Sequence, residues 1–312
     1  MTFKQQADIF MTQIQSRRRS PARVSTVRSY RSFLDKWLLP RFGETELSQI
    51  ENGTAKTVVQ KLSEAGLSAA SINSIVNVLK QIVASAVDQN GNQLYPRTWN
   101  NEFIDLPVVA KADQDAPTVT PKAIQEALRA AKGQDKALYA LLAGTGLRVG
   151  EALALMVGPD DGRNSFWSSE DATIRIRTTL SQGRIQSSPK TLAGIRVIDL
   201  APELNLYLCK LLLDGELPSQ GLLFHNQTGG PVRFNTVRDH LQDAGIDTGF
   251  HAFRRFRMTH LDTAGVPAGL ARFWAGHSSK DVHDTYVKSG QDIEARKLWA
   301  QKAGLGFQLE AR

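Results

Sequence analysis

Residues 144–155 read GTGLRVGEALAL, and the interpretation of this glycine-rich stretch decides the fold. A phosphate-binding loop is the first candidate. The glycines at 144, 146 and 150 miss the dinucleotide spacing by one, the residues before them favour a helix over a strand, and no Walker Gly-Lys-Ser/Thr follows. Neither a Rossmann nor a P-loop nucleotide site fits. What remains is a tight turn between two helices, with Arg148 at the start of the second and Glu151 one turn further on.

Upstream, Thr120 caps a helix that has Pro121 in its first position, and helices are predicted at 121–131 and 135–143. Downstream, ATIRIRTTL (172–180), RIQSSPK (184–190) and GIRVIDL (194–200) alternate or favour β-branched residues, which predicts a small three-stranded antiparallel sheet. Further helices are expected at 201–214, 234–244, 251–264, 268–275, 281–287 and 292–303. Towards the N-terminus, Phe3, Ile9, Phe10 and Ile14 recur at helical spacing ahead of the run Arg17-Arg18-Arg19. Ser25 is placed as the N-cap of a helix through Leu39, closed by Pro40 and Gly43. A helix over Thr54–Ala65 follows, then a longer one from a Ser68 cap to Asp88 with the stripe Ile72, Ile75, Val76, Leu79, Ile82, Val83 and Val87. The expected architecture is mainly α, with a small antiparallel β-sheet in the C-terminal domain. A helical domain spans 1–107 and a second domain 120–312, joined by a linker over 108–119 where VVAKADQDAPTVTP loses periodicity.

With 41% hydrophobic and 22% charged residues among 312, the chain has an ordinary globular composition. No apolar run reaches the ~20 residues of a bilayer span, and the start MTFKQQADIF lacks a signal-peptide layout. A cytoplasmic protein is expected. The single cysteine, Cys209, sits in LNLYLCKLLL and reads as a small apolar group. A net charge of +7 points to an anionic partner, nucleic acid foremost. Residues 1–112 hold 14 Lys/Arg against 9 Asp/Glu, leaving 24 against 22 for the remainder, so most of the excess lies in the first third. The sequence has no Cys/His cluster and no HExxH, and the pairs Asp160-Asp161 and Asp281/Asp284 lack companions at ligand spacing. Neither metal nor cofactor is expected.

The remaining chemical signals are individually weak. Arg148 alone is a solvent-facing arginine, Lys190 in SSPKTLAG is a solubilising group beside a hairpin turn, and His251 with Arg254, three apart, share one helix face. His277 follows Gly276, and Tyr286 closes GHSSKDVHDTY nine residues later. A phenol has a pKa near 10 and needs cationic neighbours to serve as a nucleophile at neutral pH. His225, His240, His260 and His283 have no usable spacing partners.

Order gives these signals weight: GTGLRVGE, a lysine in PKTLAGIRVI, HAFR, GH, then a tyrosine. Over nearly its whole length the chain resembles the tyrosine recombinases, or phage-type integrases. The resemblance implies a catalytic set of Arg148, Lys190, His251, Arg254, His277 and Tyr286, with Tyr286 as nucleophile and a covalent 3′-phosphotyrosine intermediate formed without ATP. Phe253 stands where leucine is common and Arg255 where histidine often follows; neither removes a catalytic group. The implied function is site-specific DNA recombination or integration. A type IB topoisomerase-like nicking-closing enzyme and a non-catalytic DNA-binding accessory protein are the alternatives. The first domain resembles the core-binding domain that clamps the other side of the duplex. Ser25, Arg28, Asn73 and Lys80, off the apolar stripes of its helices, are its candidate DNA contacts. The implied assembly is a homotetramer on two DNA sites, linked through the tail after Tyr286; a helix packed on its own domain is the alternative for that tail. A monomer in free solution and an accessory directionality factor stay open. The implied setting is nucleoid-associated, in a prokaryote or phage. The few residues before Phe3 leave no room for the arm-binding domain that some members carry, so distant arm-type sites are not expected.

Overall fold

A computed structural model describes residues 1–19, 21–109, 116–187, 194–277 and 291–309. The chain divides into two compact units, Met1–Asp115 and Ala116–Arg312.

The first unit is helical. Helix α1 (Phe3–Ser16) starts at a Thr2 capping box and buries Phe3, Phe10 and Ile14, while Ile9 is exposed. Helix α2 (Val24–Phe33) begins one residue before Ser25, so the predicted cap moves to Arg23, and Ser25 and Arg28 lie exposed in the helix. Pro40 does not end the run. A π-helical turn, Leu34–Leu38, precedes it and α3 (Leu39–Phe42) continues through it. Proline offers no N–H and crowds the preceding carbonyls, and a widened turn accommodates both faults without breaking the helix. Helices α4 (Asn52–Glu64) and α5 (Ala69–Ala84, capped by Ser68) complete the core. The predicted extension to Asp88 stops short at Ser85, and Val87 is exposed.

In the second unit, α6 (Pro121–Ala130), α7 (Gln134–Thr145) and the short α8 (Val149–Ala152) lead into the strands. These are β1 (Leu155–Val157), β2 (Ser165–Ser168), β3 (Thr173–Ile176), β4 (Thr178–Ser181), β5 (Arg184–Ser187), β6 (Arg196–Asp199) and β7 (Gly221–Leu222). The expected three antiparallel strands become a five-stranded mixed sheet, ordered β6-β3-β2-β1-β7 with β1 and β2 parallel, and a separate β4–β5 hairpin. The single predicted strand 172–180 divides at Arg177. There the backbone N–H groups of Arg177 and Thr178 donate to Ser165 Oγ at 2.9 and 2.8 Å, and the Arg177 guanidinium grips Asp160 at 2.6 Å. Helices α9 (Pro202–Leu213), α10 (Phe234–Asp243), α11 (His251–Thr263), α12 (Ala268–Ala275) and α13 (Ile293–Ala303) complete the unit, α9 and α11 packing on α7, and α12 and α13 beside β6. Cys209 is half-buried on α9, and burial pushes its thiol up. The predicted helix 281–287 lies outside the described residues.

The tail packs on its own unit. Ala300, Ala303, Leu305 and Phe307 are buried in the core, and the Arg257 Nη1 donates to Gly304 O at 2.6 Å. Among the described residues, no helix is long and apolar enough to cross a membrane.

Candidate active site

Helix α7 ends on Gly146, whose left-handed φ of 68° places its N–H on Leu142 O at 2.9 Å and turns the chain sharply. A side chain there would be strained by that φ, and its Cβ would press on the Arg257 side chain at 3.3 Å. Two residues on, Arg148 is extended and begins α8. Its backbone N–H donates to Glu151 Oε2 at 3.1 Å and its Nη1 to Glu151 Oε1 at 2.9 Å. Gly150 fits because the Leu180 carbonyl of β4 lies 2.7 Å from where its Cβ would be. The glycines of GTGLRVGE therefore serve packing and a turn.

Arg254 reaches the same corner from the first turn of α11. It is 4% exposed, donates through Nη1 to Gly146 O at 2.9 Å and through Nη2 to Ala275 O, and so bridges the C-terminal ends of α7 and α12. Burial, then the Arg148 charge, bring its pKa down to about 10, which leaves it protonated at neutral pH. His251 opens α11 and is exposed. Partial burial, then Arg255, Arg254 and Arg148, hold it below the usual histidine value. Partial burial, then Arg254, Arg148, Arg196 and Arg272, do the same to His277, which follows the left-handed Gly276. Two arginines thus converge on two histidines that remain neutral, a pairing suited to binding a phosphate and exchanging protons beside it.

Behind this front lies a buried layer. Glu151 and Arg196 have side chains 2% and 1% exposed and pair through both oxygens, Nη1–Oε1 at 3.2 Å and Nη2–Oε2 at 2.9 Å. Burial pushes the Glu151 carboxyl up, and its bonds to Arg196 and Arg148 override that and hold it below its ordinary value. Arg196 Nε donates to Trp274 O at 2.7 Å, Trp274 Nε1 to Asp199 Oδ2 at 2.9 Å, and Arg296 Nε of α13 to the same carboxylate at 2.8 Å. Among the described residues no group of three His, Cys, Asp or Glu side chains is placed to hold a metal.

The structure brings Arg148, His251, Arg254 and His277 together. Lys190 and Tyr286 lie outside the described residues, and the tight turn of the β4–β5 hairpin falls at Gln182-Gly183, before Lys190. In the first unit, Asn73 Nδ2 donates to Pro107 O at 3.0 Å, and Lys80 Nζ donates to Asn101 Oδ1 at 2.8 Å above the Trp99 ring. These two are engaged within their own unit. His240 pairs with Asp135 at 2.9 Å and His260 donates to Ala303 O at 2.8 Å, each in a packing role. Sequence reasoning missed Arg196, Asp199, Trp274 and Arg296. The available signal was GIRVIDL itself, which carries both signs of charge inside an apolar strand.

Residues 117–292 match the model of the phage integrase family. The chain belongs to the phage integrase family. A tyrosine recombinase XerC-like protein of Caldanaerobacter subterraneus subsp. tengcongensis is 26% identical over 260 residues, covering 76% of this phage integrase-family chain. The match spans 66% of that relative's own length. The Tn1549 transposon integrase, solved in complex with transposon right end DNA, superposes with a TM-score of 0.67 at 21% identity, covering 89% of this chain and 92% of that one. A lambda integrase tetramer bound to a Holliday junction gives 0.62 at 17%, covering 91% and 76%. At these identities the two structures speak for the fold of this family member.

Proposed function

We propose that this chain is a site-specific DNA recombinase that cuts and rejoins strands through Tyr286. The observation that carries the reading is the convergence of Arg148 and Arg254, from α8 and α11, on two histidines held below the usual histidine value by partial burial and then by nearby arginine charges. The Tyr286 oxygen bonds to phosphorus while the bond to the 5′ oxygen breaks, and the DNA is left on the protein as a 3′-phosphotyrosine. The phenol proton passes to a neutral histidine, with His251 the nearer in role, and Lys190 returns a proton to the departing oxygen. Charge that grows on the non-bridging oxygens meets the two guanidinium forks, which suit it better than ammonium groups. Religation reverses these steps on a different 5′ end, so the ester bond is conserved throughout.

Exposed Ser25 and Arg28, with the basic run at 17–19, are the first unit's better candidates for phosphate contact. Asn73 and Lys80 would act there mainly by shaping that surface. Four copies on two DNA sites, a directionality factor and a nucleoid setting belong to the same reading. The test is denaturing electrophoresis of the protein with a nicked duplex whose sequence is obtained by selecting randomised DNA for binding. Wild type is expected to leave a covalent adduct and Tyr286→Phe none. An adduct of equal yield in Tyr286→Phe, or none in wild type, overturns the reading. Lys190→Ala is expected to slow cleavage of an ordinary strand and to recover when the 5′ leaving oxygen is replaced by sulfur.

A further inference from the structure

Arg196 touches no group that would meet DNA, yet its guanidinium holds both oxygens of Glu151 and the Trp274 carbonyl near the end of α12. We infer that Arg196 is a positioning residue that keeps the Arg148 fork turned towards the phosphate by saturating Glu151 from behind. The inference rests on the DNA-cleaving reading of the site.

A carboxylate has about four lone-pair sites. Four donors surround Glu151: the Arg148 N–H and Nη1, at 3.1 and 2.9 Å, and the Arg196 Nη1 and Nη2, at 3.2 and 2.9 Å. With Arg196 in place, Glu151 has room for only one guanidinium nitrogen of Arg148, and the other donors of that fork remain for a ligand. Without Arg196, two acceptor sites of a carboxylate 2% exposed would stand unfilled in a dry pocket. The group free to fill them is Arg148, whose side chain is 45% exposed. It would turn inwards and withdraw its fork. Arg196 itself is fixed. Its Nε is committed to Trp274 O and its Nη1 also to Gly194 O at 3.1 Å. The backbone of Gly276 lies so close that a Cβ there would sit 2.8 Å from Arg196 Nη1. One buried guanidinium therefore sets both the Arg148 side chain and the chain leading into His277.

The experiment compares adduct formation by wild type, Arg196→Met and Arg196→Lys on the selected duplex, with a phosphodiester and with a methylphosphonate at the mapped position of attachment. A methylphosphonate lacks one non-bridging charge and so requires less of Arg148. On the phosphodiester, Arg196→Met is expected to be about 10- to 100-fold slower than wild type, a part of the roughly 10²–10³ that losing one transition-state donor costs. On the methylphosphonate its deficit is expected to be several-fold smaller. Arg196→Lys retains the charge but cannot serve both Glu151 oxygens and Trp274 O together, and should fall between the two. It carries the test if Arg196→Met shows no cooperative unfolding. Equal deficits on both substrates mean a merely structural role, and undiminished rates mean none; either overturns the inference while the DNA-cleaving reading stands. A wild type that forms no adduct on the phosphodiester removes that reading and the inference with it.

Discussion

Replacing Arg296 with methionine tests whether the tail of the free protein is held by its own domain. The Arg296 side chain is 8% exposed and its partner Asp199 1%, with bonds at 2.8 and 3.2 Å. Removing the cation leaves Asp199 in the dry interior with Trp274 Nε1 as a remaining donor, and breaking a buried pair in this way costs about 3–5 kcal/mol. With a urea m-value of about 2–3 kcal/mol/M, the unfolding midpoint should fall by about 1–2.5 M. Far-ultraviolet circular dichroism follows the transition. Adding Asp199→Asn removes the stranded charge and should restore much of the loss. The magnitude holds only if the helix docks in cis, because a tail seated on another copy would make stability depend on protein concentration. A change below about 1 kcal/mol in dilute protein, with a midpoint that climbs with concentration, refutes the reasoning; the lower figure is what an exposed pair would give.

Gly276→Ala should destabilise the second unit by more than Gly265→Ala. Both glycines have left-handed φ, 64° and 72°, and share a strain cost of about 1–2 kcal/mol, but only at 276 does the new Cβ strike Arg196. Equal losses in urea unfolding would show that this contact is unimportant. Arg254→Lys abandons the carbonyls of Gly146 and Ala275, each left buried at a cost of about 1–3 kcal/mol. It should therefore lose both stability and adduct formation, and a variant as stable as wild type would refute the bridging role. For pH, His251 and His277 are both depressed from 6.5. They stay neutral above that value and gain protons only as pH falls below it, so the adduct rate should drop with a midpoint under 6.5. A midpoint at or above 6.5 contradicts the cationic surroundings.

The helices were legible because their stripes and caps are local properties. Ser68, Thr120 and the left-handed glycines mark ends that the structure retains. What escaped depended on partners distant in sequence. The division of strand 172–180 at Arg177 is imposed by Ser165 and Asp160, which no periodicity within the segment reveals. The π turn before Pro40 likewise reflects packing of Leu34 and Leu38 into the core, which carries the helix past a residue that would end an isolated one. In the site, exposed groups in recognisable motifs could be read, whereas Arg196 and Asp199 looked like ordinary strand residues. Their roles exist only once Glu151, Trp274 and Arg296 arrive from elsewhere.

The mixture of charges around Glu151 has an electrostatic consequence. Arg148, Arg196 and Arg254 against one carboxylate leave a formal +2, and the two neutral histidines add nothing to it. A phosphodiester brings −1, while a five-coordinate phosphorus on the way to products carries close to −2. The phenol proton taken up by a histidine keeps the total charge constant as the bond forms, but the charge is redistributed so that more of it lies on the phosphorus oxygens, where the guanidinium groups meet it. Such a site discriminates by valence as well as by shape, holding the reacting state more tightly than the intact strand.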